Sequence, residues 1–468
     1  MSFASFEFLW FFMAFLVLYA LVYSFAPIGL RKPALLLGSL VFCWLAGFFT
    51  TKLDQSIPEA ARDSRAVSDA FLGLATMISF AVVSYLFGVL IQNGGTRKRT
   101  FLLLGVGVNA FSLLVFKLSD FHPIGVSYYL FTSIAYLTDV YRGTIAAERS
   151  PLAFGVYIAA FPKLIQGPIT RYGELAPELE RPKYTLRNLQ AGLASFVIGF
   201  AMQVLVSNQL KAVWDSEIAR TGYEFLSTRF AWYGLLCYCL YIYLSWQSYM
   251  LMAIGIGRIL GFRLPQNFNY PYLAKSVGDF YRRWHMTLTR WFKDYIYIPL
   301  GGNRKGLPRT VINILIVWLV TALWHGFHWN FVIWGMSLGL LVVLEKLWLG
   351  KHLQRLQVLP HLYVLFVIPM TWICFAMKTP ADIGAYLARL FPFFGSSPYV
   401  NEADVVEPFR KTWIPALAGI VLCFPFVEHL LQRFHKSWFV SILLAILFWL
   451  SVYMLQKNGS SLNNYAGF

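Results

Sequence analysis

Charge is scarce in this chain. Asp, Glu, Lys and Arg make up 13% of its 468 residues, against roughly 25% in soluble domains. That shortage excludes an ordinary water-soluble fold. Acidic residues are rarest, 22 against 39 Lys and Arg, and the formal net charge is +17. On a soluble chain such an excess would suggest nucleic acid. Here the positive residues lie between apolar runs, so they indicate membrane topology, and no nucleic-acid partner is expected. Cysteine is rare too. Cys43, Cys237, Cys239, Cys374 and Cys423 all lie in apolar runs. None has zinc-type spacing with histidine, and a disulfide framework is not expected. The chain lacks a G-x-S-x-G nucleophile elbow and a Walker loop. It lacks an internal repeat, which disfavours a repeat-built transporter. No basic residue precedes the first apolar run and no small-residue cleavage site follows it, so that run is expected to be a retained span.

What the chain has in abundance is apolar sequence, 58% of its residues. Several runs reach about 20 residues, enough to span a bilayer as helix. The expectation is an all-α polytopic membrane protein forming one integral membrane domain over residues 1–468. It should have about 11–12 transmembrane helices. The expected spans are 7–26, 33–50, 70–91, 101–117, 124–141, 188–210, 230–256, 311–325, 329–349, 360–377, 412–431 and 437–456. Residues 151–166, interrupted by Pro162 and Lys163, read as a re-entrant or interfacial piece. Loops 142–187 and 258–309 carry seven and ten Lys/Arg, whereas 51–69 and 211–229 balance three basic residues with four and three acidic ones. The positive-inside rule therefore places the N-terminus outside and the two basic loops in the cytoplasm.

One basic loop contains DFYRRWHMTLTRWFKDYIYIPLGGNRKG, residues 279–306. Phe280, Trp284, Leu288, Trp291, Phe292, Tyr295 and Ile296 recur at helical spacing, while Arg282, Arg283, Arg290 and Lys293 mostly avoid that face. The pattern predicts an interfacial helix over 279–299, aromatics at headgroup depth and cations in water or on phosphates. On that reading alone His285 is a polar-face residue.

A second motif, TALWHGFHWNFVIWG, spans residues 321–335. Val311 to Trp324 is a run of only 14 residues, about 21 Å of helix at ~1.5 Å per residue, whereas the hydrocarbon core is ~30 Å thick. His325 and Gly326 are therefore expected at a bend inside the membrane. An ionisable residue at such depth is a functional candidate, and desolvation favours a neutral imidazole able to accept a proton. The competing reading is a histidine bonded to a carbonyl to hold the bend. His325 and His328 are spaced i, i+3, but no carboxylate or cysteine lies beside them, so no metal is expected. A membrane histidine without a paired serine suggests base catalysis on a substrate's own nucleophile.

The two motifs together resemble the membrane-bound O-acyltransferases, in particular the bacterial branch containing the membrane subunit of alginate O-acetyltransferase. PIGVSYYLFTSIAYLTDVYRG (123–143), FPKLIQGPITR (161–171), NFNYPYLAKSVGDFYRRWH (267–285) and WICFAMKTPADIGAYL (372–387) resemble segments of that branch. The resemblance runs from about residue 25 to 390. It implies about a dozen helices around a thinned centre, with a tunnel joining cytoplasm and outer face. It maps the family's membrane histidine onto His325 and its second motif histidine onto His285. Asp279, Arg282, Arg283, Trp284, Lys293, Trp324 and Asn330, beside the two histidines, become the candidate donor- or substrate-contacting residues. Tyr281 stands where the branch has tryptophan. In LSWQSYMLMAIG (244–255), Ser245 and Leu251 replace two aspartates of the branch, and the teichoic-acid D-alanylation branch also has a nonpolar residue at the second. The C-terminal NNYAGF fits the family's aromatic ending loosely.

The reading favoured by the resemblance is an O-acyltransferase of the bacterial inner (cytoplasmic) membrane. It would carry no bound cofactor. It would move a short acyl group, acetyl above all, from acetyl-coenzyme A or another cytoplasmic acyl thioester. The acceptor would be an exported polysaccharide such as alginate, reached directly or through an outer-face partner transferase. Two alternatives stay open: D-alanyl transfer to teichoic acid from a carrier protein, and a non-catalytic transporter of an acyl or polymer intermediate.

Overall fold

The computed structural model describes residues 2–458 except 55, 354, 392, 394–399 and 434–436. NNYAGF lies outside the described residues. Among those described, all regular structure is helical, and ten helices are long and apolar enough to cross a membrane. The chain is an all-α polytopic membrane protein. Ten is fewer than the expected 11–12, because two expected spans are helices of 17 residues. The chain's internal contacts divide it into two compact units. Unit 1 comprises residues 1–197, 249–265 and 455–468, and unit 2 comprises 198–248 and 266–454.

In unit 1, the helices are α1 (Phe6–Phe25), α2 (Arg31–Lys52), α3 (Glu59–Asn93) and α4 (Lys98–Leu118), then α5 (Val126–Arg142), α6 (Pro151–Ala159), α7 (Phe161–Leu164) and α8 (Tyr172–Glu180). Local sequence sets several starts. The Ser5 hydroxyl accepts the Phe8 N–H, and Ser150 accepts from Ala153 with Pro151 in the first turn, satisfying donors a helix leaves free. Charged residues 59–69, expected as loop, form the first turns of α3. Their side chains reach water while the backbone stays hydrogen-bonded. Between apolar helices in lipid, close packing replaces the hydrophobic drive. Accordingly Ala46, Ala66 and Ala70 are buried, and a Cβ on Gly47 would lie 3.1 Å from the Ala70 backbone. Phe161 of α7 packs edge-on against Phe15 at 5.6 Å and beside Phe42 at 5.1 Å. The stretch expected as a re-entrant piece is thus two short helices, α6 and α7, with Phe154, Val156–Leu164 and Gln166–Thr170 buried in the protein.

A 36-residue helix, α9 (Leu186–Thr221), and α10 (Thr228–Ile259) run from one unit into the other. Unit 2 then contains α11 (Val277–Arg283), α12 (Met286–Phe292), α13 (Gly306–His325), α14 (Trp329–Leu353), α15 (Leu359–Ala376), α16 (Pro380–Leu390), α17 (Val406–Leu422) and α18 (Phe426–Arg433). Last comes α19 (Trp438–Asn458), most of which belongs to unit 2. Long helices carry π turns at Met202–Ser207, Val213–Ile218 and Glu345–Leu349. The core of unit 2 is aromatic. Trp372 of α15 is 2% exposed and sits beside Trp284, Trp334 and Phe375.

Candidate functional site

The first motif does not form the continuous helix expected over 279–299. α11 begins at Ser276, whose hydroxyl accepts the Asp279 N–H at 2.9 Å, and ends after Arg283. Trp284 is extended, and His285 adopts the left-handed conformation with φ +45° and ψ +53°. For an L-residue with a Cβ this costs ~1–2 kcal/mol. The segment around Asn267 holds it there. The Asn267 carbonyl accepts the Met286 N–H at 2.8 Å. Its side-chain Oδ1 accepts the Thr287 N–H at 2.9 Å and hydroxyl at 3.0 Å. The Asn269 N–H donates to the Arg283 carbonyl at 2.9 Å. Each such bond contributes roughly 1 kcal/mol net, so four together exceed the backbone strain. Strained residues held in place by their surroundings cluster at functional positions.

Glu345 fixes the other end of α11. Its carboxylate oxygens accept the Val277 N–H at 2.5 Å and the Gly278 N–H at 3.0 Å. The free donors of a helix N-terminus favour an anion. Neither Asn267 nor Glu345 was singled out from the sequence. For Glu345 the signal was present: it is an acidic residue inside the apolar run 329–349, and such residues face the protein interior. For Asn267 the signal was absent, because only pairing across the fold reveals it.

The aromatic face expected at headgroup depth is instead buried within unit 2. Phe280, Trp284, Leu288, Trp291 and Phe292 are all buried. Trp284 stacks on Phe280 at 5.5 Å and meets Phe268 edge-on at 5.0 Å. His285 is no polar-face residue. It is 6% exposed, lies 5.3 Å from the Trp246 ring and 6.3 Å from Phe268, and its Nδ1 has no hydrogen-bond partner. Burial pushes its pKa down to about 4, so the imidazole is neutral near pH 7.

The length argument for His325 also needs correction. α13 starts at Gly306 and runs 20 residues to His325, ~30 Å at ~1.5 Å per residue. The apolar run understated it, because Pro308 and Arg309 fit readily into a helix's first turns. Its length therefore does not place His325 at mid-membrane. What distinguishes His325 is its surroundings. α13 stops there because Gly326 turns extended. The imidazole is half-buried, edge-on to Trp334 at 5.0 Å and to Phe375 at 5.1 Å, with Phe331 stacked at 5.9 Å and Trp324 at 4.5 Å. His328 lies beyond the break and is exposed, so the i, i+3 spacing does not put both histidines on one helical face. Among the described residues no group of three His, Cys, Asp or Glu could hold a metal ion.

A continuous series of ring contacts joins the two histidines. From His285 it passes to Phe268, Trp284 and Trp372, then to Phe375 and His325. Tyr281 joins through Trp318 at 4.7 Å, and Trp318 meets Trp334 at 6.0 Å. Tyr281 Oη and Trp334 Nε1 on this assembly, and Asn330 Oδ1 on the residue before Phe331, are buried without hydrogen-bond partners. Buried polar atoms normally have partners, so an apolar-walled region with several unpaired polar atoms is suited to a substrate with a hydroxyl or carbonyl.

The remaining candidate residues fall into two groups. Asn330 is buried one residue before Phe331, and Trp284 and Trp324 belong to the ring assembly. Asp279, Arg282, Arg283 and Lys293 do not. Asp279 accepts from Arg282 at 3.3 Å and Arg283 at 3.2 Å. Arg282 and Lys293 are exposed. Ion pairs of this kind contribute only ~0–1 kcal/mol, so both guanidiniums remain available to a stronger anion. Ser245 is buried in unit 2; the Ser248 hydroxyl, with one proton to give, lies 2.6 Å from Gln203 Oε1 and 2.7 Å from the Ser245 carbonyl.

Residues 126–380, the stretch that contains both histidines, match the family model described as MBOAT, membrane-bound O-acyltransferase family. The chain belongs to this family. Relatives of the bacterial branch agree. The chain is 34% identical to a probable alginate O-acetylase of Pseudomonas putida over 68% of its own length and 71% of that protein's. It is 30% identical to a peptidoglycan O-acetyltransferase of Helicobacter pylori over 60% and 62%. It is 27% identical to a teichoic acid D-alanyltransferase of Bacillus subtilis over 46% and 56%. This family member is therefore similar to proteins named for acyl transfer involving three different polymers: alginate, peptidoglycan and teichoic acid.

Proposed function

We propose that the protein transfers a short acyl group, acetyl above all, from a thioester such as acetyl-coenzyme A toward an exported polysaccharide, with His325 as general base. The observation that carries this is the half-buried His325 imidazole, enclosed by Trp334, Phe375 and Phe331 and joined by ring contacts to buried His285. The acceptor hydroxyl attacks the thioester carbonyl carbon. A C–O bond forms and the C–S bond breaks. The hydroxyl proton passes to His325 and then to the leaving thiolate. A general base of this kind contributes ~10²–10⁴ in rate. Neutral His285 would orient the donor carbonyl or relay a proton. Asn330 would contact the acceptor, Trp284 and Trp324 would wall the site, and Arg282, Arg283 and Lys293 would hold donor phosphates, with Asp279 aligning the two arginines.

The basic loops support placement in a bacterial inner membrane, with the donor side in the cytoplasm. An outer-face transferase would be the partner that receives the acyl group where it is not passed to the polymer directly. The experiment uses acetyl-coenzyme A added to sealed vesicles of both orientations. Inverted vesicles should release free coenzyme A and right-side-out vesicles should not. Absence of release from either, in protein shown to be folded and supplied with acceptor polymer, would support the transporter reading. A second cargo is favoured by one observation: Leu251 stands where the alginate branch has aspartate, as in the D-alanylation branch. Release from a D-alanyl carrier protein, and none from acetyl-coenzyme A, would select it.

A further inference from the structure

Unit 1 holds a buried cation that the acyl-transfer reading does not use. Lys163 of α7 is 4% exposed. Its ammonium lies over the Tyr157 ring, 4.1 Å from the centroid. Its Nζ has no hydrogen-bond partner, and among the described residues no carboxylate pairs with it. Glu148, which lies beyond Tyr157 through Tyr172, is already occupied: it accepts from the Tyr172 hydroxyl and from the Ser150 N–H at 2.7 Å. Burial alone pushes the amine's pKa down to about 7. A cation–π contact offsets only part of the cost of burying an unpaired ammonium.

Other donors of unit 1 also lack partners. Thr170 Oγ1, Tyr129 Oη and Ser133 Oγ are buried and unbonded. The fold brings them toward Lys163. Tyr157, whose ring face carries the ammonium, donates its hydroxyl to the Thr170 carbonyl at 3.1 Å. α5 packs on α7. At Gly125, just before α5, φ is +73° and a Cβ would lie only 2.6 Å from the Leu164 carbonyl. Tyr129 and Ser133 follow Gly125 at i+4 and i+8, along the helix face that meets α7. The amine and the three hydroxyls thus lie on segments that pack together, and none has a partner to receive its proton.

We infer that Lys163 is the centre of an oxyanion site within unit 1, taking a carboxylate or phosphate oxygen on its ammonium with the hydroxyls of Thr170, Tyr129 and Ser133 as the neighbouring donors. Hydrogen bonds to an ionised acceptor are the strong class, and a bound anion would keep the lysine protonated. The inference does not depend on the transfer reaction.

The full-length protein in detergent tests this. Its melting temperature would be followed against potassium acetate and potassium phosphate, with potassium chloride at matched ionic strength as the control. A saturable rise with acetate, phosphate or both, absent with chloride, is expected. A rise with one alone identifies the oxyanion chemistry. In Lys163→Met the half-saturating concentration should increase about tenfold or more. Without added anion this variant should melt no lower than wild type, because an unpaired buried amine is replaced by an apolar side chain of similar length. Should it fail to fold, Ser133→Ala and Thr170→Val serve, each weakening the anion response severalfold. An equal rise in wild type and variants would be a general salt effect only and would overturn the inference. So would no rise with either oxyanion.

Discussion

His285 and His325 stand at the two ends of one ring assembly, yet the protein holds them by different means. His285 occupies a left-handed break between two seven-residue helices, buried and braced on both sides by residues 267–269. His325 is the last residue of a regular 20-residue helix, half-buried and held by ring packing. The first arrangement fixes a side chain at the expense of backbone strain. The second leaves the imidazole more exposed than the first. Two histidines in neighbouring motifs therefore need not play the same part. The braced one is suited to positioning, the less buried one to chemistry.

The largest expected effect belongs to His325. His325→Gln should lower acyl transfer ~10²–10⁴-fold, because an amide can keep a hydrogen bond but cannot take a proton. Coenzyme A release by folded, equally abundant variants is the measurement. Near-normal turnover would show that His325 only packs.

His285 should instead dominate a pH effect on stability. The unfolded imidazole takes up a proton below 6.5, whereas the folded one does so only below about 4. Between these values the unfolded state binds more protons, so stability is full above pH 6.5 and falls as pH drops toward 4. The loss reaches about 3 kcal/mol at most. His285→Gln should flatten melting curves over that window. A wild-type curve with no slope there would mean that His285 is solvated.

Backbone strain gives a smaller test that separates the two sites. At His285, glycine should be about 1 kcal/mol more stable than alanine, since glycine adopts the left-handed conformation freely. At His325, a helical position, alanine should be the better by up to ~1 kcal/mol. Comparing Gly and Ala variants by thermal or denaturant unfolding reads the sign at each position. The same sign at both would remove the proposed difference.

The smallest effect belongs to the two arginines paired with Asp279. Arg282→Gln with Arg283→Gln should raise KM for the thioester donor severalfold with little change in kcat, and added salt should narrow the gap. A salt-independent fall in kcat would assign the pair to holding α11.

Much of the molecule was legible in the sequence. Helical class follows from apolar runs, because lipid leaves the backbone no other partner. The family followed from RRWH, LWHG and their flanking segments. Other features were not legible. Hydropathy stopped α13 at Val311 because it weighs charge, whereas the helix ladder continues through Pro308 and Arg309. Helical periodicity joined residues 279–299 into one helix, although the tertiary hydrogen bonds that Met286 and Thr287 make to Asn267 decide otherwise. Lys163 was counted among seven loop cations, and only packing shows it buried.

By itself, then, the sequence determined that this chain forms membrane helices and carries two histidine motifs, since composition and local order suffice for both. Tertiary structure decided that His285 is strained and neutral, that Glu345 caps α11, and that the two imidazoles join through an unbroken series of rings. Each depends on residues far apart in the chain, and periodicity is blind to such pairs. The physical reason is that a helix face records only that it is covered, while the identity of what covers it is set by the fold.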